Sequence, residues 1–265
     1  MSSENPILMV DSGVGGIAYL DAFCRRNARE EAVYLADTAF FPYGQKTPDA
    51  VRSRVRLLFS QATAAINPKL AVLACNTASV VALTTARETV QFPIVGVVPA
   101  VKPAAESTIT GHIAILATNR TVDDPYTNDL VRRFARHCRI TRIGLPELVT
   151  AVEDDYCVHE WRSTRSALES SLTHAIPAEV DRVVLACTHF IHVASLVREY
   201  LPANAELVDS VDGVVRRMEW MLDAHSLRTR SSSQQDPRVF TTGPVSGRLS
   251  CLRARPWPPV TVTET

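Results

Sequence analysis

Several common classes are excluded by what the chain lacks. No uninterrupted apolar stretch approaches the roughly 18 residues that a bilayer-spanning helix needs. The opening Met1-Ser2-Ser3-Glu4-Asn5-Pro6 carries neither a basic region nor an apolar run of the kind that directs secretion. Charge of one sign is not in excess: 28 basic and 28 acidic residues cancel, and no long like-charged run occurs. Arg132-Arg133 and Arg216-Arg217 read as solvated helix faces, so neither nucleic acid nor a membrane is an expected partner. The six cysteines contain no CxxC pair and no Cys/His metal spacing, which argues against a zinc site and against a disulfide framework. Neither the GxGxxG dinucleotide fingerprint nor a P-loop is present. The expectation is a soluble cytoplasmic protein. Its 265 residues are enough for one large domain or two compact ones.

Two related runs stand out. Val72-Leu73-Ala74-Cys75-Asn76-Thr77-Ala78-Ser79 and Val184-Leu185-Ala186-Cys187-Thr188-His189-Phe190 each read as a buried parallel strand that delivers a thiol to the start of a helix. Ligands bind at that end of strands in open α/β sheets. Cys24, Cys138, Cys157 and Cys251 have no such setting and are expected as small buried hydrophobes.

Strand-like and helix-like segments alternate almost throughout. Strands are expected at Ile7–Val10, Ala32–Leu35, Leu70–Ala74 and Ile94–Val97, with helices to about Arg26, over Asp49–Ile66 and over Thr77–Val90. A second series has strands at His112–Ala117, Ile140–Gly144, Arg182–Ala186 and Leu207–Asp209. Its helices are expected over Pro125–Arg136, Glu147–Asp154, Arg165–His174 and from Cys187 to about Tyr200. A helix to about His225 and a strand at Val239–Thr241 follow, and the Pro-rich end from Pro256 is expected as a surface tail. Such alternation is the α/β signature. Cys75 and Cys187 lie 112 residues apart, about one small domain. Two similar α/β domains with parallel sheets related by pseudo-two-fold symmetry are therefore expected, residues 1–98 plus 209–265 and residues 99–208, with the active site in the cleft between them.

The turn Asp11-Ser12-Gly13-Val14-Gly15-Gly16 follows a strand and opens a helix, a setting in which backbone N–H groups hold a carboxylate or phosphate. Asp11 at a strand end is an odd choice for core filling. Asp37 to Thr47 contains Pro42-Tyr43-Gly44, a sharp loop able to present Tyr43 and the Gly44 backbone to a ligand; taken alone it reads better as a plain turn with a packed Tyr. Thr118-Asn119-Arg120-Thr121 follows another strand, where hydroxyls more often cap a helix than bind substrate, though one group can do both. Helix N-termini lower thiol pKa values. His189 is placed to exchange a proton with Cys187 or with substrate, and Asp11 to serve Cys75. Two matched thiols suit stereoinversion: one removes a proton from carbon, and the other returns one to the opposite face.

These segments, with Gly96-Val97-Val98-Pro99-Ala100-Val101-Lys102-Pro103-Ala104-Ala105, Leu116-Ala117-Thr118-Asn119-Arg120-Thr121-Val122 and Val208-Asp209-Ser210, resemble the glutamate racemases of the aspartate/glutamate racemase superfamily, nearly to residue 247. The resemblance implies interconversion of L- and D-glutamate for peptidoglycan without cofactor, neither pyridoxal phosphate nor metal. It maps Cys75 to the D-enantiomer and Cys187 to the L-enantiomer. It maps catalytic carboxylates to Asp11, Asp37 and Glu153 and the catalytic histidine to His189. Substrate contacts map to Asp11, Ser12, Pro42, Tyr43, Gly44, Cys75, Asn76, Thr77, Thr118, Thr121, Cys187, Thr188 and His189. It further implies a homodimer and activation by a UDP-N-acetylmuramoyl-alanine precursor. Racemisation of aspartate and a non-catalytic amino-acid-binding module are the rival readings. Two departures from the family's pattern stand out: Ile191-His192 where Pro usually follows Phe190, and the stretch 154–161. The tail from Leu249 likewise has no match.

Overall fold

A computed structural model describes residues 2–244 and 247–257, and these divide into two compact units: residues up to Val97 with those from Val211 onward, and Val98–Ser210. The first unit opens with β1 (Ile7–Asp11), α1 (Ile17–Arg26), β2 (Ala32–Ala36), α2 (Pro48–Ile66), β3 (Leu70–Leu73), α3 (Asn76–Thr89) and β4 (Ile94–Gly96). The limits of α2 are local chemistry. Thr47 Oγ1 accepts the Ala50 N–H, Pro48 sits in the first turn, and Asn67 ends the helix at φ 42°. Its apolar face, Val51, Val55, Leu58, Phe59 and Ala62, is buried. β1, β2 and β3 are buried at every position, as continuous apolar strands covered on both faces should be.

The second unit contains α4 (Val101–Ser107), β5 (His112–Ala117), α5 (Asn119–Asp123), α6 (Pro125–Phe134), β6 (Arg139–Gly144), α7 (Pro146–Asp155) and α8 (Arg162–Leu172). It continues with β7 (Arg182–Leu185), α9 (Thr188–Ile191), α10 (Ala194–Arg198) and β8 (Glu206–Val208). The chain then rejoins the first unit through α11 (Val211–Ala224), β9 (Arg238–Thr241) and β10 (Arg255–Pro256). Arg26 on α1 fixes α11 with Nε and Nη2 bonds to the Glu219 carboxylate, at 3.1 and 2.6 Å.

Both sheets are wholly parallel, in the orders β10-β9-β2-β1-β3-β4 and β6-β5-β7-β8. The molecule is thus α/β with two parallel sheets. The order β2-β1-β3-β4 in one unit is the order β6-β5-β7-β8 in the other, so the topology is duplicated. In each, chain direction across the sheet reverses at the first strand of the unit, β1 or β5. This switch point is where such sheets bind ligands.

The structure corrects four expectations. A helix, α4, follows Pro99 where none was expected. The helix after Cys187 is two short ones, α9 and α10, broken at His192-Val193. The Pro-rich end is not all surface tail: β10 pairs with β9, and Trp257 packs edge-on to Phe240 with ring centroids 5.4 Å apart, while residues 258–265 lie outside the described part. Finally, Cys24, Cys138 and Cys157 are only partly buried and Cys251 is exposed. Cys24 and Cys138 are free thiols, and Cys157 and Cys251 are each disulfide-bonded, which departs from the expectation of a chain without disulfides.

One ion pair is fully interior to the first unit. Lys69 Nζ lies 2.6 Å from Glu30 Oε2, with the two side chains 1% and 4% exposed, and Glu30 Oε1 accepts the Thr229 N–H at 3.0 Å. Removing one partner strands the other charge, so Lys69→Met should lower unfolding free energy by about 3–5 kcal/mol. Urea denaturation tests this, and the double variant with Glu30→Gln should recover part of the loss.

Candidate functional site

Equivalent backbone bonds put the two thiols at equivalent places. Ala74 N–H donates to Val10 O at 2.7 Å and Ala186 N–H to Leu116 O at 2.8 Å. Cys75 and Cys187 follow, each extended (φ −132°, ψ 125° and φ −139°, ψ 131°), each capping a helix and each a buried free thiol. By the same register Ser12 corresponds to Thr118, Asn76 to Thr188 and Thr77 to His189. Asp11 corresponds to Ala117. The scaffold repeats, and the acid–base groups do not.

In the first unit Asp11 is buried at the end of β1, and its Oδ1 accepts the Ser12 N–H at 2.6 Å. The glycine turn is held shut by Tyr34, whose hydroxyl accepts the Gly16 N–H at 3.1 Å and donates to Gly13 O at 2.6 Å. A Cβ at Gly16 would stand 2.9 Å from both Ala74 Cβ and the Tyr34 ring, so only glycine lets this turn approach the Cys75 strand. Ser79 Oγ bridges Leu73 O and the Val97 N–H, tying α3 to the strand ends on either side.

Asp37 is buried at the end of β2 and anchors the next loop. Its Oδ2 accepts from the Tyr43 hydroxyl at 2.8 Å and from Arg54 Nε at 2.9 Å; its Oδ1 accepts from Arg54 Nη2 at 2.5 Å and Thr242 Oγ1 at 2.6 Å. With both oxygens so engaged, Asp37 orients Tyr43. Burial holds the Tyr43 hydroxyl well above its ordinary pKa, helped by Asp37 and by the nearby Cys75 and Asp11. Tyr43 is therefore a neutral donor near physiological pH. Pro42 and Gly44 flank it half-buried, Pro42 after a cis peptide. Asn76, 2% exposed, has neither carboxamide atom bonded within the protein, an arrangement a buried amide rarely adopts outside a binding site.

In the second unit His189 Nε2 lies 2.9 Å from Glu153 Oε2, both side chains buried. Burial opposes a charged imidazole, but hydrogen bonds to Cys187 and Glu153, with their charges, drive the His189 pKa well above its ordinary value. Glu153, His189 and Cys187 thus form a chain of acid–base groups. Thr118 caps α5 by accepting the Thr121 N–H at 3.2 Å and donates to Thr121 Oγ1 at 3.2 Å, and Thr188 is buried beside Cys187 in sequence. Ser12, Thr77 and Thr121 are buried as well. Among the described residues, no cluster of three or more His, Cys, Asp or Glu side chains could hold a metal ion, and no helix is long and apolar enough to cross a membrane.

Sequence reasoning missed Arg54, Tyr34, Ser79 and Thr242. Arg54 and Thr242 reach Asp37 from 17 and 205 residues away, and neither has a local signal. Tyr34 alternates with apolar neighbours in a strand and reads as core.

Residues 10–218 match the family model of the Asp/Glu/Hydantoin racemases. The glutamate racemase of Salmonella typhimurium is 38% identical over 231 residues, which cover 85% of this chain and 80% of that one. Among solved structures, Escherichia coli glutamate racemase, in complex with L-glutamate and the activator UDP-MurNAc-Ala, aligns with a TM-score of 0.83 and 34% identity over 94% of each chain. The Thermus thermophilus glutamate racemase, in complex with β-chloro-D-alanine, aligns with a TM-score of 0.74 and 26% identity over 97% of this chain and 98% of that one. The chain belongs to the Asp/Glu/Hydantoin racemase family, and within it to the glutamate racemases. It is accordingly an isomerase.

Proposed function

We propose that Cys75 and Cys187 are the two bases of a cofactor-independent interconversion of L- and D-glutamate. The observation that carries this reading is the matched pair of buried free thiols at the same register of a duplicated fold, with Cys187 hydrogen-bonded to His189. In the L-to-D direction the Cys187 thiolate takes the Cα proton, and the Cys75 thiol donates its proton to the opposite face of the carbanion. The enzyme is left with Cys187 protonated and Cys75 ionised, the state that processes D-glutamate. His189, hydrogen-bonded to Cys187 and held by Glu153, balances charge and proton on the second side; Asp11 serves the first. Asp37 acts through Tyr43 and Arg54. Ser12, Tyr43, Gly44, Asn76, Thr77, Thr118, Thr121 and Thr188 supply donors to the substrate carboxylates and amine region, and the unbonded Asn76 amide supports a polar ligand there.

The same reading assigns the product to peptidoglycan synthesis in the cytoplasm and the working form to a homodimer. The E. coli relative's bound UDP-MurNAc-Ala supports activation by that precursor, and this chain's Gly96-Val97-Val98-Pro99-Ala100 resembles the activated branch. Aspartate is the rival substrate, since one methylene is worth only ~1–3 kcal/mol of discrimination. Incubation of purified protein in D2O with L-glutamate or L-aspartate, with and without the muramoyl precursor and without cofactor, tests the substrate, the cofactor independence and the activation. Deuterium at Cα and D-isomer from glutamate alone is the expected result. Faster exchange of aspartate would reassign the substrate, and none with either would leave a binding module.

A further inference from the structure

The rings of Tyr156, at the end of α7, and His192, at the end of α9, pack edge to face with centroids 4.7 Å apart. We propose that this ring pair is a positioning element that sets His189 against Glu153 and Cys187. The proposal rests on His189 being the acid–base partner of Cys187.

Spacing carries the argument. Glu153 and Tyr156 stand three residues apart at the end of α7, where Tyr156 continues the helix with φ −54° and ψ −46°. His189 and His192 stand three residues apart on α9 and its C-cap, the cap again helical. Residues three apart on a helix share a face. Two parallel rungs therefore join the same two helices: the 2.9 Å Glu153–His189 bond and, one turn further on, the aromatic pair.

A second rung is needed because α9 has only four residues, too few to be stable by itself. Its backbone bonds, such as His192 N–H to His189 O at 3.2 Å, do not set its rotation against α7. Behind Tyr156 the aromatic contact extends to His159 and on to Trp161, with centroids 6.2 Å apart at each step. His159 and Trp161 hold φ of 60° and 52°, both in the left-handed region.

His192→Ala should lower kcat about tenfold or more with KM changed less than threefold, because small displacements of an acid–base group act on the chemical step. The same variant should shift the downfield imidazole N–H resonance of His189 in the proton NMR spectrum. His192→Phe, which keeps a ring, should restore both to near wild type. Tyr156→Leu removes the contact from the other helix and should reproduce the His192→Ala pattern; it carries the test if His192→Ala does not fold. Wild-type kcat with an unmoved His189 resonance in either variant overturns the proposal, as does a His192→Phe variant no better than His192→Ala. Unfolding of both ring-deleting variants overturns it too, since the pair would then be merely structural. If wild-type protein racemises nothing, the functional reading fails, and the His189 resonance still reports whether the ring pair positions it.

Discussion

Cys75→Ser and Cys187→Ser will each reduce racemisation of glutamate by about a thousandfold or more while leaving the fold intact. The fold survives because serine is nearly isosteric, and each side chain sits at the end of a buried strand whose backbone bonds do not involve sulfur. Activity does not, because a hydroxyl is a far poorer carbon acid–base catalyst than a thiol near neutral pH. In the proposed mechanism each thiol serves one face of Cα, so neither can replace the other. Circular dichroism and thermal melting check the fold, and a coupled assay of D-glutamate checks turnover. Near-normal racemisation by either variant would sink the two-base mechanism.

His189→Asn is expected to lower kcat by about 10²–10⁴-fold, the range of a lost general acid–base group. It should also change the pH dependence of stability. The His189 pKa in the folded protein is raised well above 6.5, because the hydrogen bonds and charges of Cys187 and Glu153 outweigh burial. A group whose pKa rises on folding contributes stability that is fully present below its unfolded pKa and lost as pH climbs through the folded value. The difference in melting temperature between wild type and His189→Asn should therefore be largest below about pH 6.5 and shrink on the alkaline side. A difference that grew with pH would show that His189 is buried neutral, and the Glu153–His189–Cys187 chain would have to be redrawn.

Where the sequence was legible, local chemistry is the reason. Short continuous apolar runs bounded by turn residues fit strands buried on both faces, and Thr47-Pro48, Asp124-Pro125 and Asn67 mark helix limits by their own caps. The break of α9 from α10 was not legible, since nothing in Ile191-His192-Val193 is a helix breaker by type. Nor was α4, whose seven residues include a Pro at Pro103. The return of Arg255–Pro256 to the sheet depends on β9 offering an open edge, a fact about the fold and not about the tail.

By itself the sequence determined the duplicated α/β scaffold and the two thiols at its strand ends, because both follow from short-range pattern and from a repeat that can be read by eye. It also supplied the family resemblance that singled out Glu153. The tertiary structure alone decided which groups answer to which. It joined Glu153 to His189 across 36 residues, and it engaged Asp37 with Arg54, Tyr43 and Thr242. Through the equivalent Ala74–Val10 and Ala186–Leu116 backbone bonds it also made Ala117 the counterpart of Asp11, so that the equivalent place in the second unit carries no charge. Strand pairing sets such correspondences, and hydrogen bonds between residues far apart in the chain leave no mark on local sequence.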